Sequence, residues 1–450
     1  MVNENRSSFT GKIGFVLAAA GSAVGLGNIW RFPYLAAKFG GGIFLLTYLV
    51  LAVTLGFALM TAEIAIGRKT GLSVIGAYKK LDKRFSFLGY LAALVPAIIL
   101  PYYSVIGGWV TKYFVAFVSG NGLSAASDSY FGGFITSTAE PIGWFLIYLG
   151  LTALVVLFGV EKGIEKVSKI MMPVLVVLSV VIAAYGLTIP GAIEGVKYYF
   201  TPDFSKFSAS TVLAAMGQLF YSMSLAMGIM ITYGSYVKDD VDLNKSIRNI
   251  EIFDTMAAFL AGLMIIPAVY VFMGKEGMSE GPSLMFVSLP KIFEEMGLIG
   301  NFVGVVFFIM VLFAALTSCV SIMETLVANC MEKFNKSRKT VSLAMAGIYA
   351  GLATVICLGY NVLYFEIKLP NGAVGQLLDI MDYASNYVLM PVVSILTCIL
   401  IGWIAKPKYI IEEVKKSSTS FKRAGLYTVM VKFVAPVMLL VLFLKSLGLF

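Results

Sequence analysis

Apolar runs recur along the whole chain, each separated from the next by a short polar break. A helix needs about 20 residues to cross roughly 30 Å of hydrocarbon. About eleven runs approach or exceed that length, at 12–37, 41–66, 87–118, 142–159, 167–187, 210–236, 250–273, 298–330, 340–359, 375–403 and 427–449. In lipid, an unpaired backbone N–H or C=O has no water to bond, so single segments of this kind cross as helices. The pattern predicts an all-α polytopic membrane protein with about eleven transmembrane helices and nothing of domain size outside them. The first run follows Met1–Thr10 directly and continues past signal-peptide length, so the amino terminus is expected to belong to the mature protein.

Composition agrees with this picture: 59% of the 450 residues are hydrophobic and 13% are charged, against about 25% charged in soluble domains. The net charge of +9 would suit a nucleic-acid partner if it formed one patch, but the basic residues fall in alternate connections. Arg6 and Lys12 begin the series; Arg68, Lys69, Lys79, Lys80, Lys83 and Arg84 follow in the second connection. Lys162, Lys166 and Lys169, then Lys238, Lys245 and Arg248, then Lys333, Lys336, Arg338 and Lys339, then the 406–423 cluster keep the alternation. Cytoplasmic connections are the basic ones. The protein is therefore expected to be multi-pass in the plasma membrane with its N-terminus cytoplasmic, its carboxyl end outside, and no nucleic-acid partner. Histidine is absent, which removes imidazole bases and Ser-His nucleophile pairs and argues against an enzyme. Cys319, Cys330, Cys357 and Cys398 stand singly and read as small apolar packing residues.

Two runs are interrupted as a plain membrane helix would not be. Ala20–Asn28 carries three glycines within seven residues, and Gly217–Gly228 brings glycines, hydroxyls and an amide to mid-membrane depth. Backbone groups freed by a broken helix are costly in hydrocarbon, so breaks persist where they face protein, water, ions or substrate. Matched interruptions in the first and sixth spans, corresponding places in two five-span halves, point to a transporter's central site. Close packing of small residues is the bland alternative.

The stretch Gly21-Ser22-Ala23-Val24-Gly25-Leu26-Gly27-Asn28-Ile29-Trp30-Arg31-Phe32-Pro33 resembles the first-span signature of the neurotransmitter:sodium symporter family, which has the LeuT-type fold. Gly40-Gly41-Gly42, Glu63 with Gly67-Arg68, Gln218 with Phe220-Tyr221-Ser222 and Ser224, Ile231-Thr232-Tyr233, and Ala314-Ala315-Leu316-Thr317-Ser318 extend the likeness over essentially the whole chain. The resemblance implies a LeuT-type 5+5 inverted repeat with helices 1 and 6 discontinuous. Residues 1–187 would be the first repeat, 188–403 the second, and 404–450 a cytoplasmic loop with an eleventh helix.

It also implies a sodium-coupled symporter that imports an L-amino acid by alternating access, with two Na+ ions as co-substrates. The first ion would take the carbonyl of Ala23, the amide oxygen of Asn28, Ser222 and Asp254, completed by the substrate carboxylate. The second would take the carbonyls of Gly21, Val24 and Ala314 with the hydroxyls of Thr317 and Ser318. Hard oxygen donors suit a hard cation, although taken alone Thr317 and Ser318 would more often bond back to their own helix. Many relatives carry a neutral Asn where this chain has Asp254, and a serine where it has Ala258. The expectation is that Asp254 supplies the compensating negative charge and makes transport chloride-independent. Gly25 stands where monoamine carriers place an Asp, so the substrate should bring its own carboxylate, met by Gly27 and Tyr103. Its ammonium would meet Ala23, Tyr221, Ser222 and Ser224. Ile99, Tyr103, Tyr221, Met227, Ser318 and Ile322 would line an apolar side-chain pocket for a hydrophobic or aromatic residue, with Ala226 narrowing its floor.

Arg31 and Asp382 are expected to close the outer gate directly or through water, and Arg6 with Glu332 the inner gate beneath Phe9, braced by Tyr236. Glu63 should hold the freed amides of both breaks. Gly163 and Pro173 mark a segment of the fifth span that either unwinds or merely kinks. A transporter-like sensor that binds without flux and an ion channel are the competing classes, and the sequence sets no oligomeric state.

Overall fold

The computed structural model describes residues 7–274, 283–418 and 420–449. Among them, nine helices are long and apolar enough to cross a membrane: Gly42–Thr70, Lys83–Val118, Glu140–Leu157, Val160–Leu187, Leu243–Met273, Ile299–Phe334, Arg338–Leu358, Leu377–Ile404 and Ala424–Ser446. Lys12–Ala23 and Gly27–Lys38 form a further crossing bent by 54°. The sixth passage consists of Ala209–Ser222 and Ile229–Gly234, each too short to span the hydrocarbon alone. The positions of all eleven runs, and the two discontinuous ones among them, follow the hydropathy pattern.

The connections are more structured than that pattern indicates. Short helices occupy Val74–Leu81, Asp128–Thr136, Ala192–Phe200 and Pro407–Lys415, and Ile367–Lys368 pairs antiparallel with Val374–Gly375. Several crossings also contain wide π-type turns, at Ala52–Gly56, Val160–Glu165, Met430–Val434 and, twice in one crossing, at Tyr383–Leu389 and Leu400–Ile404. Such turns leave carbonyls without their usual partner. Pro173 lies inside the helix Lys166–Leu187, which follows the Val160–Glu165 turn without a break, so here the fifth span is not unwound.

Small residues set how closely the central helices approach. A Cβ at Gly67 would lie 1.9 Å from the Ile231 carbonyl oxygen, and one at Gly234 would lie 2.4 Å from that of Ile64. The half-helix Ile229–Gly234 therefore rests backbone to backbone on the second span, as small residues allow between membrane helices. That contact fixes the broken sixth passage against a continuous neighbour.

Candidate functional site

Both breaks lie at the centre of the bundle, and they differ in how the chain makes them. In the first span, helix Lys12–Ala23 ends at Val24 (φ −78°, ψ 88°) and resumes at Gly27. None of its three glycines takes a positive φ; they are glycines for space. A Cβ at Gly21 would sit 3.1 Å from Thr317 Cβ, one at Gly25 2.7 Å from Ser318 Oγ, and one at Gly27 2.3 Å from the Tyr221 ring. In the sixth passage the break is conformational, since Ser224, Ala226 and Gly228 have φ of 52°, 62° and 70°. The left-handed region is strained for the first two and free for glycine. Hydrogen bonds join the two breaks: Ser224 Oγ donates to the Ser22 carbonyl at 2.9 Å, and Gln218 Nε2 to the Gly27 carbonyl at 3.0 Å. Glu63 Oε1 accepts from Ala226 N at 2.7 Å. Its other oxygen is buried and has no partner among the described residues, so the carboxylate braces the sixth passage, and the Ser22–Ser224 and Gln218–Gly27 bonds tie it to the first.

Asn28, Ser222 and Asp254, drawn from the first, sixth and seventh spans, converge. Asn28 Nδ2 donates to Asp254 Oδ1 at 2.9 Å, Ser222 Oγ to the same oxygen at 2.5 Å, and Ser222 Oγ approaches Asn28 Oδ1 at 3.3 Å. Tyr48 adds a donor that sequence reasoning missed, its hydroxyl lying 2.8 Å from Asp254 Oδ2 and 3.2 Å from Ser222 Oγ. One tyrosine among 23 carries no distinguishing signal until the fold aims it. Asp254 is completely buried; four polar groups in such close register form the kind of satisfied network in which a buried charge is tolerated. The donors are an amide oxygen, a hydroxyl and a carboxylate, which fits a hard monovalent cation.

The second expected set comes together in part. Ser318 Oγ donates across the bundle to the carbonyls of Gly21 (3.3 Å) and Ser22 (3.1 Å). Thr317 Oγ1 instead bonds within its own helix to Phe313 O (2.9 Å) and Ala314 O (3.2 Å), the back-bonded arrangement expected of a hydroxyl in a membrane helix. Val24 is buried in the break, where its N–H reaches Ala20 O at 2.7 Å. Met172, beside Pro173, closes this corner with its sulfur 3.2 Å from the Gly21 Cβ position. Every donor in this set is a carbonyl or hydroxyl oxygen, and among the described residues no group of three His, Cys, Asp or Glu gathers to hold a metal.

Between the two sets lies a small cavity of about 20 Å³. Ala23, Gly27, Ile99, Tyr103, Tyr221, Ser224, Met227, Ser318 and Ile322 all line it, with Ser22, Gly25, Leu26 and Asn28; Ser222 is turned into the Asp254 network instead. No charged side chain lines this cavity. Leu26 N–H reaches the Tyr103 hydroxyl at 3.4 Å.

Above it opens a cavity of about 590 Å³ whose walls include Arg31, Tyr102, Tyr221, Asp379, Asp382, Tyr387 and Lys445. Tyr221 borders both cavities. Arg31 and Asp382 do not form the direct pair that the sequence allowed. The guanidinium stands 5.6 Å from the Tyr221 ring centre and 5.5 Å from that of Tyr387, and donates to the Tyr387 hydroxyl at 3.0 Å. Asp382 accepts from Asn386 Nδ2 at 2.5 Å and from Tyr102 at 3.3 Å. Arg31 is thus held by Tyr387, on the same helix as Asp382, and Asp382 by Asn386 of its own helix and Tyr102 of the third span.

At the opposite end Phe9 is buried against Phe15, Tyr233 and Tyr236, and its N–H bonds the Tyr236 carbonyl at 3.1 Å. Arg6 lies outside the described residues. Glu332 accepts from Ser73 N and Oγ, at 2.8 and 2.5 Å. The Tyr236 hydroxyl donates to Glu324 at 2.7 Å, and Arg338 holds the same fully buried carboxylate through 2.5 and 2.9 Å bonds. This inner Glu324–Arg338 pair escaped sequence reasoning, because Arg338 reads as a loop charge.

The chain is similar to known proteins over its whole length. The model of the sodium:neurotransmitter symporter family matches residues 6–124 and 136–450. An uncharacterized sodium-dependent transporter of Bacillus subtilis is 35% identical over 455 residues, covering 100% of this chain and 99% of the relative. One from Methanocaldococcus jannaschii is 34% identical over 430 residues, covering 92% and 85%. The sodium- and chloride-dependent taurine transporter of Rattus norvegicus is 27% identical over 453 residues, covering 89% and 71%. The crystal structure of MhsT in complex with L-phenylalanine superposes with a TM-score of 0.88 at 37% identity, covering 98% of this chain and 100% of that one. With its broken first and sixth helices and LeuT-type architecture, the chain belongs to the sodium:neurotransmitter symporter family, whose members are transporters and not enzymes.

Proposed function

We propose that this protein imports a hydrophobic or aromatic L-amino acid together with two sodium ions, without a requirement for chloride. The reading rests chiefly on the small cavity between the two breaks, which Gly25, apolar side chains and neutral polar groups line and no charged group enters. A substrate there must bring its own carboxylate, and the adjoining donor set of Ala23, Asn28, Ser222 and Asp254 would hold a sodium ion against it. Gly21, Val24, Ala314, Thr317 and Ser318 would hold the second. The free end of half-helix Gly27–Lys38 offers positive dipole charge to a carboxylate. That MhsT is titled as a complex with L-phenylalanine, at 37% identity, supports an aromatic substrate.

A cavity of about 20 Å³ has room for about one water molecule and not for an amino acid, so loading requires side chains to move. Met227 is the most adaptable of them. Tyr103 and Tyr221 form the lid, and Arg31 and Asp382 would approach each other above it as the large cavity closes. Arg6 and Glu332 would play the corresponding part at the inner end. In this scheme residues 1–187 and 188–403 are the two repeats that rock about the site, 404–450 adds the last connection and helix, and the N-terminus faces the cytoplasm of a plasma-membrane protein.

Asp254 would supply fixed negative charge beside the first ion. Counterflow in proteoliposomes tests the reading. Radiolabelled L-phenylalanine should accumulate only with an inward sodium gradient, and equally with gluconate or chloride outside. Binding without accumulation, or conductance without a gradient, would refute symport, and a chloride requirement would refute the role of Asp254.

A further inference from the structure

We propose that Lys432 and Trp403 form a binding site for the phosphate headgroup of an anionic glycerophospholipid, at the seam between the last two membrane helices. Lys432 lies in the wide turn Met430–Val434 and Trp403 in the wide turn Leu400–Ile404, and the two turns pack against each other. The indole Nε1 donates to the Lys432 carbonyl at 3.2 Å. The Lys432 ammonium stands 5.4 Å from the Trp403 ring centre. Gly402 lies against the stem, a Cβ there being 3.5 Å from Lys432 Cγ. Phe433 packs edge-on to Trp403 at 5.6 Å, and both rings are more than half exposed.

A lysine here is out of keeping with its surroundings. It lies roughly 12 Å along the helix from Ala424, at 1.5 Å per residue, on a flank otherwise made of exposed Val429, Phe433 and Val437. Intramembrane charges ordinarily face the bundle interior and pair with an opposite charge. Lys432 has no carboxylate partner among the described residues. Its side chain leans toward the start of its helix, where the polar connection 405–423 begins, and Trp403, next to the end of its own helix, marks the membrane–water boundary.

The group that meets a partly buried ammonium at that depth is a lipid phosphate, with the tryptophan ring against the glycerol region. Exposed Lys406, three residues beyond Trp403 and also without a carboxylate partner among the described residues, adds positive potential at the same boundary. Net negative lipid is thereby favoured over zwitterionic lipid. Bound there, the lipid would clamp the tenth helix, whose far end carries Asp382, to the eleventh.

Thermal unfolding of the full chain in detergent, titrated with dioleoyl phosphatidylglycerol, dioleoyl phosphatidylcholine or inorganic phosphate, tests the site. Phosphatidylglycerol should raise Tm beyond phosphatidylcholine in the native protein and in Lys432→Arg, and that excess should vanish in Lys432→Met. Native mass spectrometry should show the affinity for phosphatidylglycerol falling roughly fivefold in Lys432→Met. Equal shifts from the two lipids, or an excess retained in Lys432→Met, would overturn the site. The same shift from inorganic phosphate would overturn the lipid as its source. Should Lys432→Met not fold, Trp403→Leu serves the same comparison, and full retention of the excess there overturns the proposal.

Discussion

A Cβ at position 27 would lie 2.3 Å from the Tyr221 ring, which leaves Gly27→Ala two outcomes: the lid tyrosine moves, or the first-span break does. Overpacking of this kind costs about 1–3 kcal/mol. Sodium-driven uptake of L-phenylalanine by Gly27→Ala should fall roughly tenfold or more, with the protein still purifying as a single species. Ala226 is the opposite case, an L-residue held at φ 62° with no glycine freedom. Ala226→Gly should raise thermal stability by about 1 kcal/mol as left-handed strain is relieved, and widen the range of accepted side chains in a competition panel. Asp254 was legible from sequence because a carboxylate inside an apolar run is costly wherever it stands. Its partner Tyr48 was not, because an aromatic ring in a membrane helix is ordinary until the fold aims its hydroxyl. For Asp254→Asn, uptake in chloride-free medium should be lost; adding Ala258→Ser should restore it only when chloride is present, as measured by counterflow with gluconate against chloride.

Between elements, charges that the sequence scattered into connections prove to be clasps. Arg68, 1% exposed in its side chain, donates to Glu413 Oε1 at 2.6 Å, Glu413 O at 2.5 Å, Val241 O at 2.8 Å and Ser417 Oγ at 2.9 Å. It thereby fastens the end of the second span to the helix Pro407–Lys415 and to the segment after the sixth passage. Removing one member of a buried pair leaves the other charge uncompensated, at about 3–5 kcal/mol. Arg68→Gln should lower Tm by many degrees, and Arg68→Gln with Glu413→Gln should recover part of that loss in the same unfolding assay. Charge patterning marked Arg68 as part of a basic connection and did not single out Glu413. It had no means of pairing Arg68 with Glu413, 345 positions away, because nothing in a local pattern encodes which connections meet. The same limit applied to Arg31 and Asp382, expected to meet directly or through water: both line one cavity, but here they are satisfied by Tyr387, Tyr102 and Asn386 in place of each other.

Over the whole molecule, one end of the central pathway is open as a cavity of about 590 Å³ and the other is packed around Phe9. A thiol introduced at Leu213 or Leu378, both on the wall of that cavity, should react with a membrane-impermeant reagent, and sodium plus L-phenylalanine should slow the reaction as the walls close. The native background is low, since Cys319, Cys357 and Cys398 are buried and Cys330 is partly so. Unchanged labelling with and without ligand would argue against closure over the site. The sequence by itself determined the helical crossings, their number, the two interruptions and the residue types gathered there. Each follows from a local rule, that backbone polar groups in hydrocarbon must be satisfied within the segment or exposed to something that satisfies them. Tertiary structure alone decided which oxygens converge, that Tyr48 joins them, that Glu324 and Arg338 pair at the inner end, that the pocket is smaller than a substrate, and which end of the pathway is open. Those are relations between helices distant in sequence, set by how small residues let backbones approach and by where each buried charge finds its partner.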